Sequence, residues 1–575
     1  MDRGLLTRLK LWLAVMPVAL CASSAVARKP HIMPMTPITP EQSALLDRAF
    51  ANEKVMEKEL QKRTPLVQTY IQNLKPDAKL SAVPISDHYI LSRVDFDKSF
   101  AADGYREKSK GLFKGSLGAI GVLSKALGLT AEYLPTGFMD MMFLDTTEFD
   151  RQHYDFGFVR NDFLGDVHTQ VFDVLPRKNT GDGRFTGRIW VDDQDGAVVR
   201  LNGIFTGNAH IDRPRYFHFD SWRTNLEPGV WLPAEIYVEE SHSEKLDDEP
   251  DLRARTSFWG YSLKLPSHQS ENTAIQIDDV TDNSDGSRDV SPLEAKRAWV
   301  SQAEANVLDR LVQAGLLAPP SDFDKVLETV TNNLILGTNL SLPDAVRCRV
   351  LLTTPLESLA VGNTILLSKG LVDVLPYEED LAAVLAFQLA HITLGHHVDT
   401  RYAFNDRLLF PDEVTFQRIT MNHSASDNSL AARKAVELLN HSVYHDHLAN
   451  AGLFFAQLQT RSSALKALLT PRLGDSLLSA DGTPWMAELI KGAPGLDNDK
   501  LDQIAALPLG SHLKIDAWDD KVIALNAKPV ALLTAQDKIP FEITPILLRL
   551  TRYRDAAAST TALTVGNPPA AVSSR

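Results

Sequence analysis

The sequence predicts an α+β protein, a curved antiparallel β-sheet domain followed by a mainly helical one, on three observations. Short strand-like segments separated by Gly, Pro, Asn and Asp turns recur between about 86 and 265 with no alternating helical blocks, as in a sheet built hairpin by hairpin. From Ser291-Pro292-Leu293-Glu294 onward apolar residues return at helical spacing, behind a proline suited to the first helical position. Between the two, residues 266–292 are rich in Asp, Ser, Asn and Gly and read as a linker.

Taken in order, residues 1–27 carry Arg3, Arg8 and Lys10, then a short apolar run at 11–22, then Ala25-Val26-Ala27. That is the layout of a signal peptide cleaved before Arg28, and it predicts a periplasmic or secreted protein. The run is too short to span a bilayer as a helix. Cys21 raises the question of lipidation, but Leu20 precedes it where such sites want a small side chain. Residues 28–85 are expected to form an N-terminal helical segment, since Pro40 suits a helix start and Leu45, Leu46, Phe50, Val55, Leu60 and Leu66 follow at roughly helical spacing. In the strand-rich domain, 86–265, the stretch from Gly187 to Leu201 reads as a hairpin around an Asp/Gly-rich turn. Arg215 to Trp222 alternates, and Pro228-Gly229 opens a further strand from Trp231. Residues 110–129 are apolar, contain glycine and read as a helix, either in the core or as a lid. The helical domain covers 293–555, and the tail 556–575, rich in Ala, Thr, Ser and Pro, has too little to bury to be expected to fold.

Composition narrows the function. A formal net charge of -14 with no basic run argues against non-specific nucleic-acid binding. Past the signal peptide Cys348 is the only cysteine, which excludes an internal disulfide or a cysteine-based zinc site. No later apolar stretch is long enough for a transmembrane helix, so the mature chain is expected to have no membrane span.

The most informative stretch is 363–399. A strand at Thr364–Ser368 leads into Ser368-Lys369-Gly370-Leu371. Pro376 breaks the pattern, Glu378, Glu379 and Asp380 place negative charge in the first turn of a new helix, and the helix runs apolar on nearly every face to about His397. It contains Phe387-Gln388-Leu389-Ala390-His391, followed by Gly395-His396. This ordered set, over roughly 300–460, resembles the active-site region of the Ste24-like zinc endopeptidases (metallopeptidase family 48, gluzincins), where a His-Glu-x-x-His helix holds the metal.

In that motif two histidines one turn apart hold zinc and the Glu takes a proton from metal-bound water. By position Phe387 replaces the first His, Gln388 replaces the general base, and His391 alone is kept. A phenyl ring donates no lone pair and a neutral amide is no base near neutral pH. The family's third ligand, a Glu from a later helix, aligns with Asn428 in Asn428-Ser429-Leu430-Ala431-Ala432. No metal is therefore expected at the family site. Zinc enters only if the site is rearranged, and Glu437 and His441, with His445 a further four residues on, offer one-turn spacings from which His391, Glu437 and His441 could assemble a different one.

The strand-rich region, on Gly187-Arg188-Ile189-Trp190-Val191-Asp192, Val198-Val199-Arg200 and Trp231-Leu232-Pro233, resembles the lipoprotein-carrier fold of the bacterial envelope. That resemblance implies an apolar groove able to take an acyl chain or an unfolded segment; otherwise Trp190, Trp222 and Trp231 are ordinary core aromatics. The expected function is that of a non-catalytic pseudopeptidase binding envelope proteins or lipoproteins. The alternatives are an active metalloendopeptidase with a rearranged zinc site, and a lipid or lipoprotein carrier acting through the β domain.

Overall fold

The computed structural model describes residues 35–553 apart from 78–80, 97–100, 105–137, 146–147, 182, 206–215, 242–250, 264–291, 339, 341, 343, 376, 399–420, 498–512, 517–521, 525–542 and 546–549. The expected signal peptide at 1–27, the expected helix at 110–129, nearly all of the expected linker and the tail 556–575 lie outside the described residues.

The chain opens with helix α1, Pro40–Gln61. Thr39 Oγ1 accepts the Gln42 N–H at 3.3 Å, Gln42 Oε1 accepts the Thr39 N–H at 2.8 Å, and Pro40 takes a position where its missing N–H costs nothing. Removing the cap with Thr39→Ala should lower stability by about 1 kcal/mol, read as a shift of the urea midpoint without a change of slope. The helix stops at Gln61, well short of the helical segment expected over 28–85, and Arg63–Asp77 is a strand, β1. Leu60 and Leu66 fit a helical repeat, but Thr64, Val67, Thr69, Tyr70 and Ile71 supply β-branched and aromatic side chains for a two-sided buried strand, and that pairing wins.

Strands β1, β2 (Ser81–Asp95), β3 (Ala101–Gly104), β4 (Tyr154–Leu164), β5 (Val167–Pro176), β6 (Phe185–Asp192), β7 (Val198–Phe205), β8 (Tyr216–Glu227), β9 (Val230–Ser241) and β10 (Asp251–Leu263) form one sheet, in the order β3-β2-β1-β10-β9-β8-β7-β6-β5-β4. Every neighbouring pair is antiparallel, and β1 pairs β10 from Arg63↔Leu263 to Leu74↔Asp251. The sheet curves without closing, and the expected α+β class holds. The expected hairpin is β6–β7, and the Pro228-Gly229 turn, with Gly229 at φ 71°, joins β8 to β9.

The sheet is buried on both faces by different partners. Val67 and Ile71 point into a core with Leu45, Leu46 and Met56 of α1 and with Met139, Met141 and Met142 of a short 3-10 turn. Arg223 of β8 fixes α1 there through two bonds to Glu53, at 2.6 and 2.7 Å. On the opposite face Tyr70 and Tyr237 belong to the core of the C-terminal half. Gln68 Nε2 donates to Thr354 Oγ1 at 2.8 Å, and Asp87 accepts the backbone N–H groups of Ala467 and Leu468 at 3.1 and 2.7 Å. Burial pushes the Asp87 carboxyl up, while those two N–H groups hold it partway down.

The C-terminal half is less purely helical than expected. Helices α2 (Pro292–Gln313) and α3 (Asp322–Leu336) precede β11 (Arg347–Leu351), β12 (Glu357–Val361) and β13 (Thr364–Ser368). Then come α4 (Lys369–Val374), α5 (Glu378–Leu394), α6 (Ala425–Asn440), α7 (Leu448–Arg461) and β14 (Asp475–Ser476). The four strands form a small sheet, β11-β13-β12-β14, with β11 and β13 parallel. Strands β15 (Leu513–Asp516), β16 (Val522–Ala524) and β17 (Ile543–Pro545) form another small sheet, in the order β16-β15-β17. Five-residue strands such as β12, buried throughout, show no alternation, which is why helical patterning masked them.

Candidate functional site

Helix α5 runs through the middle of the C-terminal core, with every residue from Asp380 to His391 buried. Its acidic first turn offsets the helix dipole, and Gly395 ends it three residues before Val398 with φ 68°, a left-handed cap that suits glycine. The Ser368-Lys369-Gly370-Leu371 turn also has a local reason. A Cβ at Gly370 would lie 1.7 Å from the Thr354 carbonyl oxygen, so only glycine lets the strand-to-helix corner close on the neighbouring loop.

Antiparallel to α5 lies α6, as contacts at the two ends establish. Glu378 at the start of α5 accepts the Tyr444 hydroxyl at 2.7 Å beyond the end of α6, while His396 after α5 lies 3.8 Å from Asp427 at the start of α6. This arrangement decides which sequence candidates meet. Glu437 is exposed and pairs with Lys434 at 2.8 Å, and His441 donates Nδ1–H to the Glu437 carbonyl at 2.7 Å. Ten residues of helix, about 15 Å, separate Glu437 from the Asp427 end where His391 sits, so His391, Glu437 and His441 are not brought together. His445 caps its own loop, with Nδ1 3.1 Å from the Ser442 carbonyl. Asn428 is buried in the first turn of α6, and its Oδ1 has no partner among the described residues.

His391 meets other groups instead. Its ring stacks on His423, centroids 3.8 Å apart and planes inclined by 27°, and it faces the Phe387 ring edge-on at 5.0 Å. Nδ1 of His391 lies 3.0 Å from Nδ1 of His396. His423, in the turn before the Ser424 cap of α6, holds Asp475 of β14 by its backbone N–H at 2.7 Å and its Nδ1 at 2.7 Å. Gln388 completes the cluster, donating Nε2–H to Ser358 Oγ at 2.8 Å and, more weakly, to Asp475 Oδ2 at 3.3 Å. His391, His423, Asp475 and Gln388 are all buried, three of them completely. Burial, with His423 beside it, pushes the His391 pKa down to about 3, so the ring is neutral at physiological pH.

No family model matches this chain. No curated protein matches it either. Among solved structures it is similar to a DUF1329 family protein from Desulfovibrio piger, at 13% identity over 41% of this chain and 100% of that one, with a TM-score of 0.19. A likeness at that level says nothing of what this chain does.

The residues at the expected zinc positions do not fit the family's metal. Phe387 fills the first ligand position with a fully buried ring, and the Gln388 amide is engaged by Ser358 and Asp475 rather than held for a water. Gln388→Glu would put a second carboxylate beside Asp475 in a site without solvent. It is expected to lower stability by about 2 kcal/mol at pH 8 and by less at pH 5, where one proton can be shared; urea denaturation at the two values measures it. An equal loss at both would sink that account.

Sequence reasoning missed His423, Asp475 and Ser358. His423 stands in a loop and Asp475 on a two-residue strand, each placed by contacts 52 to 87 residues apart in the chain. Neither carries a spacing signal. The one available hint was Ser424, whose side chain accepts the Asp427 N–H and so marks the helix start that fixes His423 just before it.

Proposed function

We propose that this is an exported, non-catalytic protein whose C-terminal half keeps a peptidase-like scaffold and binds protein or lipoprotein segments without cutting them. One observation carries the reading: Phe387 and Gln388 are sealed in the core, their side chains packed and hydrogen-bonded, where hydrolysis would need a metal ligand and a general base. Losing the base alone removes on the order of 10²–10⁴-fold in rate. Export rests on the leader pattern at 1–27. No helix among the described residues is long and apolar enough to cross a membrane.

The carrier alternative would have to use the apolar face of the large sheet. Among the described residues, α1 and Met139, Met141 and Met142 already cover the apolar face of the large sheet that an acyl chain would need. The test uses the full mature chain, zinc-supplemented, with an unfolded fluorescent polypeptide. Retention of the intact probe with no chelator-sensitive cleavage is expected. Cleavage that stops on adding chelator overturns the non-catalytic reading, and failure to retain any unfolded probe overturns the binding one.

A further inference from the structure

The polar cluster at the end of α5 has a property that hydrogen bonding within the chain does not use up. Nε2 of His391 and Nε2 of His423 are both buried, and neither has a partner among the described residues. Buried imidazole nitrogens are ordinarily satisfied, and leaving one unpaired is costly.

The geometry points to a buried site for one zinc-like divalent transition ion, held by His391, His423 and Asp475. One ligand atom from each of the three lies within 4.8 Å of the other two. Two imidazoles and a carboxylate suit zinc, whose bonds of about 2.0–2.2 Å ask the three to close in by about an ångström. Stacked rings hold their lone pairs in nearly parallel planes, so loading tilts one ring of the His391–His423 stack out of that alignment. The ion's place is structural. Gln388 occupies the neighbouring position without a base, and the site joins three separate elements: α5, the turn before α6, and β14. This set shares only His391 with the ligands expected from sequence, and it stands whether or not the non-catalytic reading does.

The experiment is metal analysis of the full purified chain, followed by titration of the chelator-treated protein with Zn²⁺ and Co²⁺. About one ion per chain is expected, with X-ray absorption reporting two histidine rings on it. His423→Ala should weaken binding by about 100-fold or more, while Glu437→Gln and His441→Gln should leave it unchanged. If His423→Ala does not fold, the X-ray absorption spectrum of the wild-type chain still decides. No stoichiometric ion, or an ion without histidine ligands, overturns the site. So does binding that survives His423→Ala but is lost in Asp150→Asn, because Glu148, Asp150 and His153 form the other such group among the described residues, on the surface. Cleavage by the loaded chain would sink the non-catalytic proposal and leave the site intact, and absence of metal would do the reverse.

Discussion

Replacing Arg255 with alanine is expected to destabilise the protein by about 3–5 kcal/mol, enough to threaten the fold of an ordinary domain. Arg255 projects from β10 into the seam between the large sheet and the C-terminal half, with its side chain 1% exposed. It lies 3.0 Å from Glu235 on β9 and 2.5 Å from Asp373 on α4, and Lys369 contacts Asp373 at 2.5 Å. Burial alone would raise the Asp373 carboxyl, but Arg255 and then Lys369 more than offset it and hold it below the usual range. Burial raises Glu235, against the pull of Arg255. Without the guanidinium two carboxylates stay out of water with one lysine between them. The shift in urea midpoint of Arg255→Ala measures the effect, and a loss below about 1 kcal/mol would show the seam to be held by its apolar contacts alone. Replacing Arg255, Glu235 and Asp373 together with apolar residues should cost much less, because breaking a buried ionic cluster is what is expensive.

Stability should also fall steadily as pH rises from about 4 to 8, by up to about 1.4 kcal/mol per pH step, through one residue. Asp380 is fully buried in the first turn of α5, and burial, reinforced by the neighbouring Glu379, pushes its pKa up to about 8. Its Oδ2 accepts the Tyr377 N–H at 3.2 Å, while Oδ1 has no partner among the described residues. The folded protein therefore keeps a proton there that the unfolded chain gives up near pH 4. This contribution is whole below the unfolded value and is gone once pH passes the folded one. Asp380→Asn, which keeps the size and the acceptor oxygen, should flatten that slope and leave the variant the more stable protein at pH 8. Parallel pH profiles for the two proteins would refute this.

The central helix was the most legible part of the chain. Three acidic residues ahead of an apolar run fix both its start and its depth, and from depth alone Phe387 and Gln388 had to be inside. The hairpins around Gly196 and Gly229 were legible for a similar local reason, since turn chemistry and strand alternation agree there. Where two local patterns overlapped the reading failed, as at Leu60 and Leu66, which satisfy a helical repeat although the second belongs to a strand. The site was legible only in part. His391 drew attention because its surroundings resemble a known motif, whereas Asp475 reaches the cluster through the pairing of β12 with β14, which no spacing encodes.

The last described residues have a bearing on how the protein is made. Leu550 accepts the backbone N–H of Asp166 at 2.9 Å, and Arg552 binds Asp192 at 2.5 Å and Asp195 at 3.1 Å, in the turn between β6 and β7. Asp192 and Arg552 are 360 residues apart in the chain, so a sheet whose strands all lie ahead of residue 264 receives this tie only after residue 552 has been made. A nascent chain stalled before that point would carry the turn's carboxylates without their arginine, and a protease cutting just ahead of residue 550 in the finished protein would recreate the same unfinished state.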